Sequence, residues 1–181
     1  GDRVGFGWAL TALGMVAQAQ GRLDVARARL EESLGVWREL GDRQNTANVL
    51  ATMAGLARDQ SEYDVARARL TEGLEILREV GDRRGIAFIL EGFAGLAAAE
   101  AQPTRAICLA SAAASLRRII GAAAPPSWGS DLERRLEAAS TGLSREAVED
   151  AGARGRGMTL PDAVAFALGV PLRTDSNRTG T

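Results

Sequence analysis

The side chains that could do chemistry in this chain are charged, and they recur in register. Arg27 and Arg29 follow Asp24, and Arg67 and Arg69 follow Asp64 in the same order at the same offsets. On helices these four arginines would stack into a basic ladder, a docking surface for an acidic partner. Glu31, Glu32 and Glu72 lie three to five residues away. They offer the other outcome, solvated ion pairs along each helix, worth about 0.2–0.5 kcal/mol apiece.

Most other chemistry is removed by composition. The chain has no histidine, which takes away Ser–His and Cys–His catalysis and most metal sites. Its single cysteine, Cys108, has no internal disulfide partner and reads as a small buried hydrophobe. No G-x-x-x-x-G-K-[ST] phosphate loop occurs. The run GARGRG, Gly152 to Gly157, is not a dinucleotide fingerprint; it reads as a break, a flexible joint. We therefore expect no enzyme, no cofactor and no metal. The net charge of −1 makes no electrostatic case for nucleic-acid binding. All 22 basic residues are arginine, a hint of a GC-rich genome. No apolar run reaches the ~18 residues of a membrane span. No secretory signal is visible, so the expected compartment is the cytoplasm.

What must position the charged residues is a repeat. Gly-Asp-Arg stands at Gly1, Gly41 and Gly81, at equal intervals. The run Asp-Val-Ala-Arg-Ala-Arg-Leu occurs unchanged at Asp24–Leu30 and Asp64–Leu70, offset by that same interval. A fixed period of this size marks a stack of identical structural units. Each block holds two helices. Apolar residues at Leu10, Leu13 and Ala17, then at Leu23, Ala26, Leu30, Leu34 and Trp37, put one stripe on each helix. The breaks inside the blocks fall at Gln20-Gly21-Arg22 and Gln60-Ser61-Glu62, and Pro103 follows the third. Gly41 is placed to end one helix in the left-handed conformation and Asp42 to cap the next. Substituting either with a bulky apolar residue costs on the order of 1 kcal/mol. A chain that opens on Gly1-Asp2, already inside a block, is expected to be cut from something longer.

These blocks resemble the tetratricopeptide repeat. Block one supplies Leu10, Leu13-Gly14, Ala17, Gly21, Leu23, Ala26 and Leu30. Block two supplies Leu50, Met53-Ala54, Ala57, Tyr63, Ala66 and Leu70. Two departures stand out. The family's period is about 34 residues, shorter than the interval from Gly1 to Gly41, so the second helix is expected to be longer here. A Gly-Asp joint also replaces the family's closing proline. The resemblance implies an all-α, tetratricopeptide-like helical-hairpin solenoid with a concave groove lined by the first helix of each pair. By that alignment the groove presents Trp8, Thr11, Met15 and Gln18, then Asn48, Ala51, Thr52 and Arg58, then Phe88, Glu91 and Gly95. The implied partner is a protein or peptide, a neighbouring domain of the same parent chain, or a small effector. The groove lacks the Lys and Asn cluster with which co-chaperone versions clamp a C-terminal carboxylate.

The expected organisation is three helix pairs (1–40, 41–80 and 81–121), capping helices over 122–170 and a disordered tail or linker over 171–181. In the capping segment, Pro125-Pro126 reads as a turn. Trp128, Leu132, Leu136, Ala139 and Leu143 form a stripe, with Ser130 and Glu133 as a capping box. Ser144 is expected to cap a helix carrying Ala147 and Val148. Thr159 is expected to cap a last helix bearing Leu160, Val164 and Leu168, ended by Gly169. The succession Leu90–Ala106, Ala114–Pro126 and Met158–Leu168 is similar to the region preceding the DNA-binding domain of LuxR-type, ATP-binding bacterial transcriptional regulators. That resemblance implies a non-catalytic sensor or interaction module. The alternative is a free-standing adaptor. Neither a phosphate loop nor a Leu-Thr-x-Arg-Glu helix-turn-helix opening follows in these residues. An uncovered N-terminal face would favour a homo-oligomer.

Overall fold

A computed structural model describes residues 1–123 and 126–171, with side chains except at 126–129. Pro125, the Trp128 side chain and the expected tail beyond residue 171 lie outside the described residues. The described chain is helical: α1 (Arg3–Ala19), α2 (Leu23–Glu39), α3 (Arg43–Asp59), α4 (Tyr63–Val80), α5 (Arg83–Ala99), α6 (Pro103–Ile119), α7 (Pro126–Ser140), α8 (Arg145–Arg156) and α9 (Leu160–Ala167). Successive helices pair as hairpins, α1 with α2, α3 with α4 and α5 with α6, and each pair packs on the next. This is the tetratricopeptide-like solenoid that the repeat predicts.

The joints explain the period. Residues 21, 41, 61, 81, 101 and 121 all take positive φ, between 55° and 73°. After each, the next backbone N–H reaches back five residues to a helical carbonyl at 2.9–3.0 Å: Arg22 to Ala17, Asp42 to Trp37, Glu62 to Ala57, Asp82 to Leu77, Gln102 to Ala97 and Ala122 to Arg117. That bond is the signature of a left-handed helix stop. Four of the six positions are glycine; Ser61 and Ala101 carry a side chain there. Asp2, Asp42 and Asp82 cap α1, α3 and α5, each accepting from the N–H three residues on. Each block is therefore one unit of helix plus joint, used twice. The extra length is not in the second helix, because the two helices of the first pair have 17 residues each, as do those of the third.

Most of the expected stripe is core. Leu10, Ala17, Ala26, Leu30, Leu34 and Trp37 are buried, and in the third pair Leu90, Phe93, Leu96 and Leu109 are too. Leu13 is not: it is exposed on the outer face of α1. Its register mates Met53 and Phe93 are buried, because α3 and α5 each have a preceding pair against them, whereas none of the described residues covers that face of α1.

Three readings of the C-terminal third change. Helix α7 already runs from Pro126, so Ser130 lies inside it and the expected capping box with Glu133 does not form at its start. The capping box forms instead at Thr159 and Asp162, at the start of α9. The GARGRG run is not a joint: Gly152 to Arg156 belong to α8, which packs along α6. A Cβ at Gly155 would collide with the Cys108 carbonyl oxygen. The glycine is what lets the two backbones approach. Ser144 caps α8 as expected, and Gly169 follows α9 with φ +71°. Helix α9 is pinned by Arg105, which donates to the Phe166 and Ala167 carbonyl oxygens at 3.0 and 2.9 Å. The guanidinium groups of Arg105 and Arg154 each lie about 5 Å from the centre of the Phe166 ring.

Candidate functional site

The first helices α1, α3 and α5 lie side by side and leave a groove along their shared face. Two cavities of about 420 and 370 Å³ occupy it, and Met15 and Thr52 border both. Equivalent residues of successive blocks meet there because the repeat puts the same positions of each first helix on one side.

The first cavity is aromatic and amidic. Trp8, half exposed, meets the buried Trp37 edge to face at 5.5 Å. Gly7 makes room for that ring, since a Cβ there would sit 2.8 Å from it. Phe88, Gln44, Asn45 and Asn48 line it as well. Asn45 bonds to Asp42 and Gln44 to Asp82. The Asn48 side chain has no hydrogen-bond partner among the described residues, so its amide is available to a ligand backbone.

The second cavity is charged, and its charges are already paired. Arg58 donates to Asp59 at 2.9 Å. Asp59 also accepts from Gln18 and, at 3.1 Å, from Arg135 of α7. Glu91 holds Arg117 through two bonds of 2.6 and 2.8 Å. The Glu91 bond, with its charge, outweighs burial and raises the Arg117 pKa. Burial alone would push the Asp131 carboxyl up; bonds from Arg135 and Arg134 outweigh it and hold it below the usual carboxylate value. For Arg135, burial is likewise outweighed, by Asp131 and Asp59, and its pKa rises. Helix α7 thus lies against α5 and reaches α3, so it borders the groove as well as the end of the stack.

The structure brings Trp8, Thr11, Asn48 and Phe88 to the first cavity, Gln18, Arg58 and Glu91 to the second, and Met15 and Thr52 to both. They differ in availability. Thr11 is buried and shares a 2.7 Å hydrogen bond with Ser33. Gly95 backs the Arg58 guanidinium rather than lining open space. Several lining residues were not foreseen. Gln44 and Asn45 precede Asn48 by one helical turn, a signal the spacing carries. Arg117 occupies the register position of Trp37 and Leu77, and Asp131 and Arg135 come from outside the repeat; nothing local marks them.

The basic ladder does not stand free. Arg27 donates to Glu62 at 2.8 Å and Arg67 to Glu100, each bridging to the next pair. The Glu62 bond is the main reason the Arg27 pKa is raised. Arg29 pairs with Glu32 at 3.0 Å and Arg69 with Glu72 at 3.8 Å. Among the described residues there is no cluster of potential metal ligands, and no helix is long and apolar enough to cross a membrane.

The tetratricopeptide repeat family model matches residues 6–79, which is α1 to α4 almost entire, so this stretch is a tetratricopeptide-repeat region. Such repeats generally mediate protein–protein interaction and are typically non-catalytic scaffolds. No curated protein and no solved structure matches the chain.

Proposed function

We propose that this chain is a non-catalytic interaction module that takes a protein segment into the groove of α1, α3 and α5. The observation that carries this is the aromatic half of the groove. It combines a half-exposed Trp8 with Phe88 and the side-chain amide of Asn48, which has no partner among the described residues. An apolar anchor against Trp8 and a backbone bond to Asn48 is what those groups fit. Arg58 and Glu91, already spent on Asp59 and Arg117, hold the groove's shape. The test is peptide display against the folded chain, with Asn48→Ala and Phe88→Ala chains as counter-targets. Selected peptides are expected to carry an apolar anchor and to lose about tenfold or more in affinity on Phe88→Ala. Peptides that bind both variants as well as the parent would sink the reading.

We further infer that the module serves a LuxR-type, ATP-binding bacterial transcriptional regulator. Support comes from the similarity of Leu90–Ala106, Ala114–Pro126 and Met158–Leu168 to the region preceding the DNA-binding domain in such proteins. The stack would pack on a neighbouring ATPase domain in one state, and groove occupancy would favour the released state. Reading the coding sequence on both sides decides this. An upstream ATPase and a downstream helix-turn-helix are expected; start and stop codons beside the ends would instead make it a free-standing adaptor.

A further inference from the structure

The repeat supplies its own control for a second site. In the first pair Arg3 pairs with Glu39, and in the second Arg43 pairs with Glu79. The third member of that series is Arg83, and the register position of its glutamate is Ile119, which is 70% exposed. A second series behaves the same way. Arg38 of the first pair donates to Glu72 of the second at 2.5 Å. Its mate Arg78 would meet position 112, which is the buried Ala112. Both glutamates are thus lost at the same step of the stack, while both arginines stay. Arg78 and Arg83 are exposed and have no ion-pair partner among the described residues. Of the carboxylates near them in sequence, Glu79 holds Arg43, and Asp82 caps α5 and accepts from Gln44; Glu75, three residues before Arg78, is exposed and pairs with neither arginine.

The two arginines line one cavity. It has a volume of about 440 Å³ and lies between the Gly81 joint and α9. Its other walls are apolar: Ile86 from α5, then Leu160, Val164 and Leu168 from α9. That volume is within the range of small-molecule sites. Two arginines together with an aliphatic lining specify an amphipathic ligand.

We propose that this cavity binds a small organic acid, a carboxylate carried on an apolar body. The ligand carboxylate takes the place that Glu39, Glu79 and Glu72 fill for the equivalent arginines. The apolar body lies on α9. The site is separate from the groove of the first helices and stands whether or not that groove binds a peptide.

Decanoate is the probe, with decanol and inorganic phosphate as the partial probes. Titration calorimetry on the whole chain is combined with methyl NMR of Ile86, Val164 and Leu168. Decanoate is expected to bind and shift those methyls, and to bind about tenfold or more tightly than either partial probe. Arg83→Ala and Arg78→Ala should each weaken it about tenfold, while Arg3→Ala leaves it unchanged. A further variant keeps both arginines: Ile119→Glu restores the partner present in the first two pairs. It should weaken decanoate similarly without lowering the melting temperature. Equal binding of decanol, methyl shifts elsewhere, or full affinity in Ile119→Glu and Arg83→Ala would overturn the proposal. So would capture of acidic peptides by a chain that leaves decanoate unbound.

Discussion

At the scale of single residues, backbone conformation decides what a glycine is worth. Six joints take the left-handed region and only four carry glycine. Ser61→Gly and Ala101→Gly should each stabilise the chain by about 0.5–1 kcal/mol, measured by urea denaturation, because a side chain at such a φ is strained. Gly21→Ala should cost about the same. In α8 two neighbouring glycines differ in the opposite sense. At Gly152 a Cβ would press only on the flexible end of Arg156, whereas at Gly155 it would strike the α6 backbone. Gly152→Ala is therefore expected to be neutral or to stabilise by up to about 1 kcal/mol. Gly155→Ala should cost about 1–3 kcal/mol, since the clash is with backbone. Cys108 belongs to the same contact. It is buried, and burial pushes its thiol pKa up. Its alkylation should be slow in the folded chain and fast once urea unfolds it.

At the scale of helices, legibility followed periodicity. Caps at Asp2, Asp42 and Asp82, the stops at Gly41 and Gly81 and the buried face of α2 could all be read because each feature recurs at the equivalent place in the next block. Where the repeat ends, local signals competed with tertiary ones. GARGRG reads as a breaker by propensity, but close approach to α6 favours the absence of side chains and keeps it helical. Ser130 followed by Glu133 has the letters of a cap, yet α7 is already under way from Pro126. No local pattern announces that Arg135 will reach Asp59, 76 residues away. That contact carries a pH dependence. The Asp131 carboxyl that anchors Arg135 is held below its ordinary value of 3.8. A carboxyl depressed by folding contributes stability that is present above the unfolded pKa and lost as pH falls through the folded one. The α7 contact should therefore be intact down to about pH 4 and loosen below it. Asp131→Asn should flatten the fall in hydrogen-exchange protection of α7 between pH 5 and pH 3.

At the scale of the whole molecule, the same register position means different things along the stack. Val16, Leu56 and Leu96 are equivalents, but Val16 is 51% exposed while Leu56 and Leu96 are 2% and 1% exposed. Val16→Ala should change stability by no more than about 0.5 kcal/mol, and Leu96→Ala should cost about 2–5 kcal/mol. Because each pair touches only its neighbours, stability is a sum of local terms. The larger buried cluster joins the second and third pairs to α9, and a smaller one joins the first pair to the second. Hydrogen exchange should accordingly be faster in α1 and α2 than in α5 and α6. The evenly spaced left-handed stops at 21, 41, 61, 81, 101 and 121 bear on how such a chain changes length. Only gain or loss of a whole helix pair with both its joints preserves the alternation of first and second helices. An in-frame duplication of 41–80 would yield a working longer stack at once, whereas gaining a single helix with its joint would turn every later helix inside out.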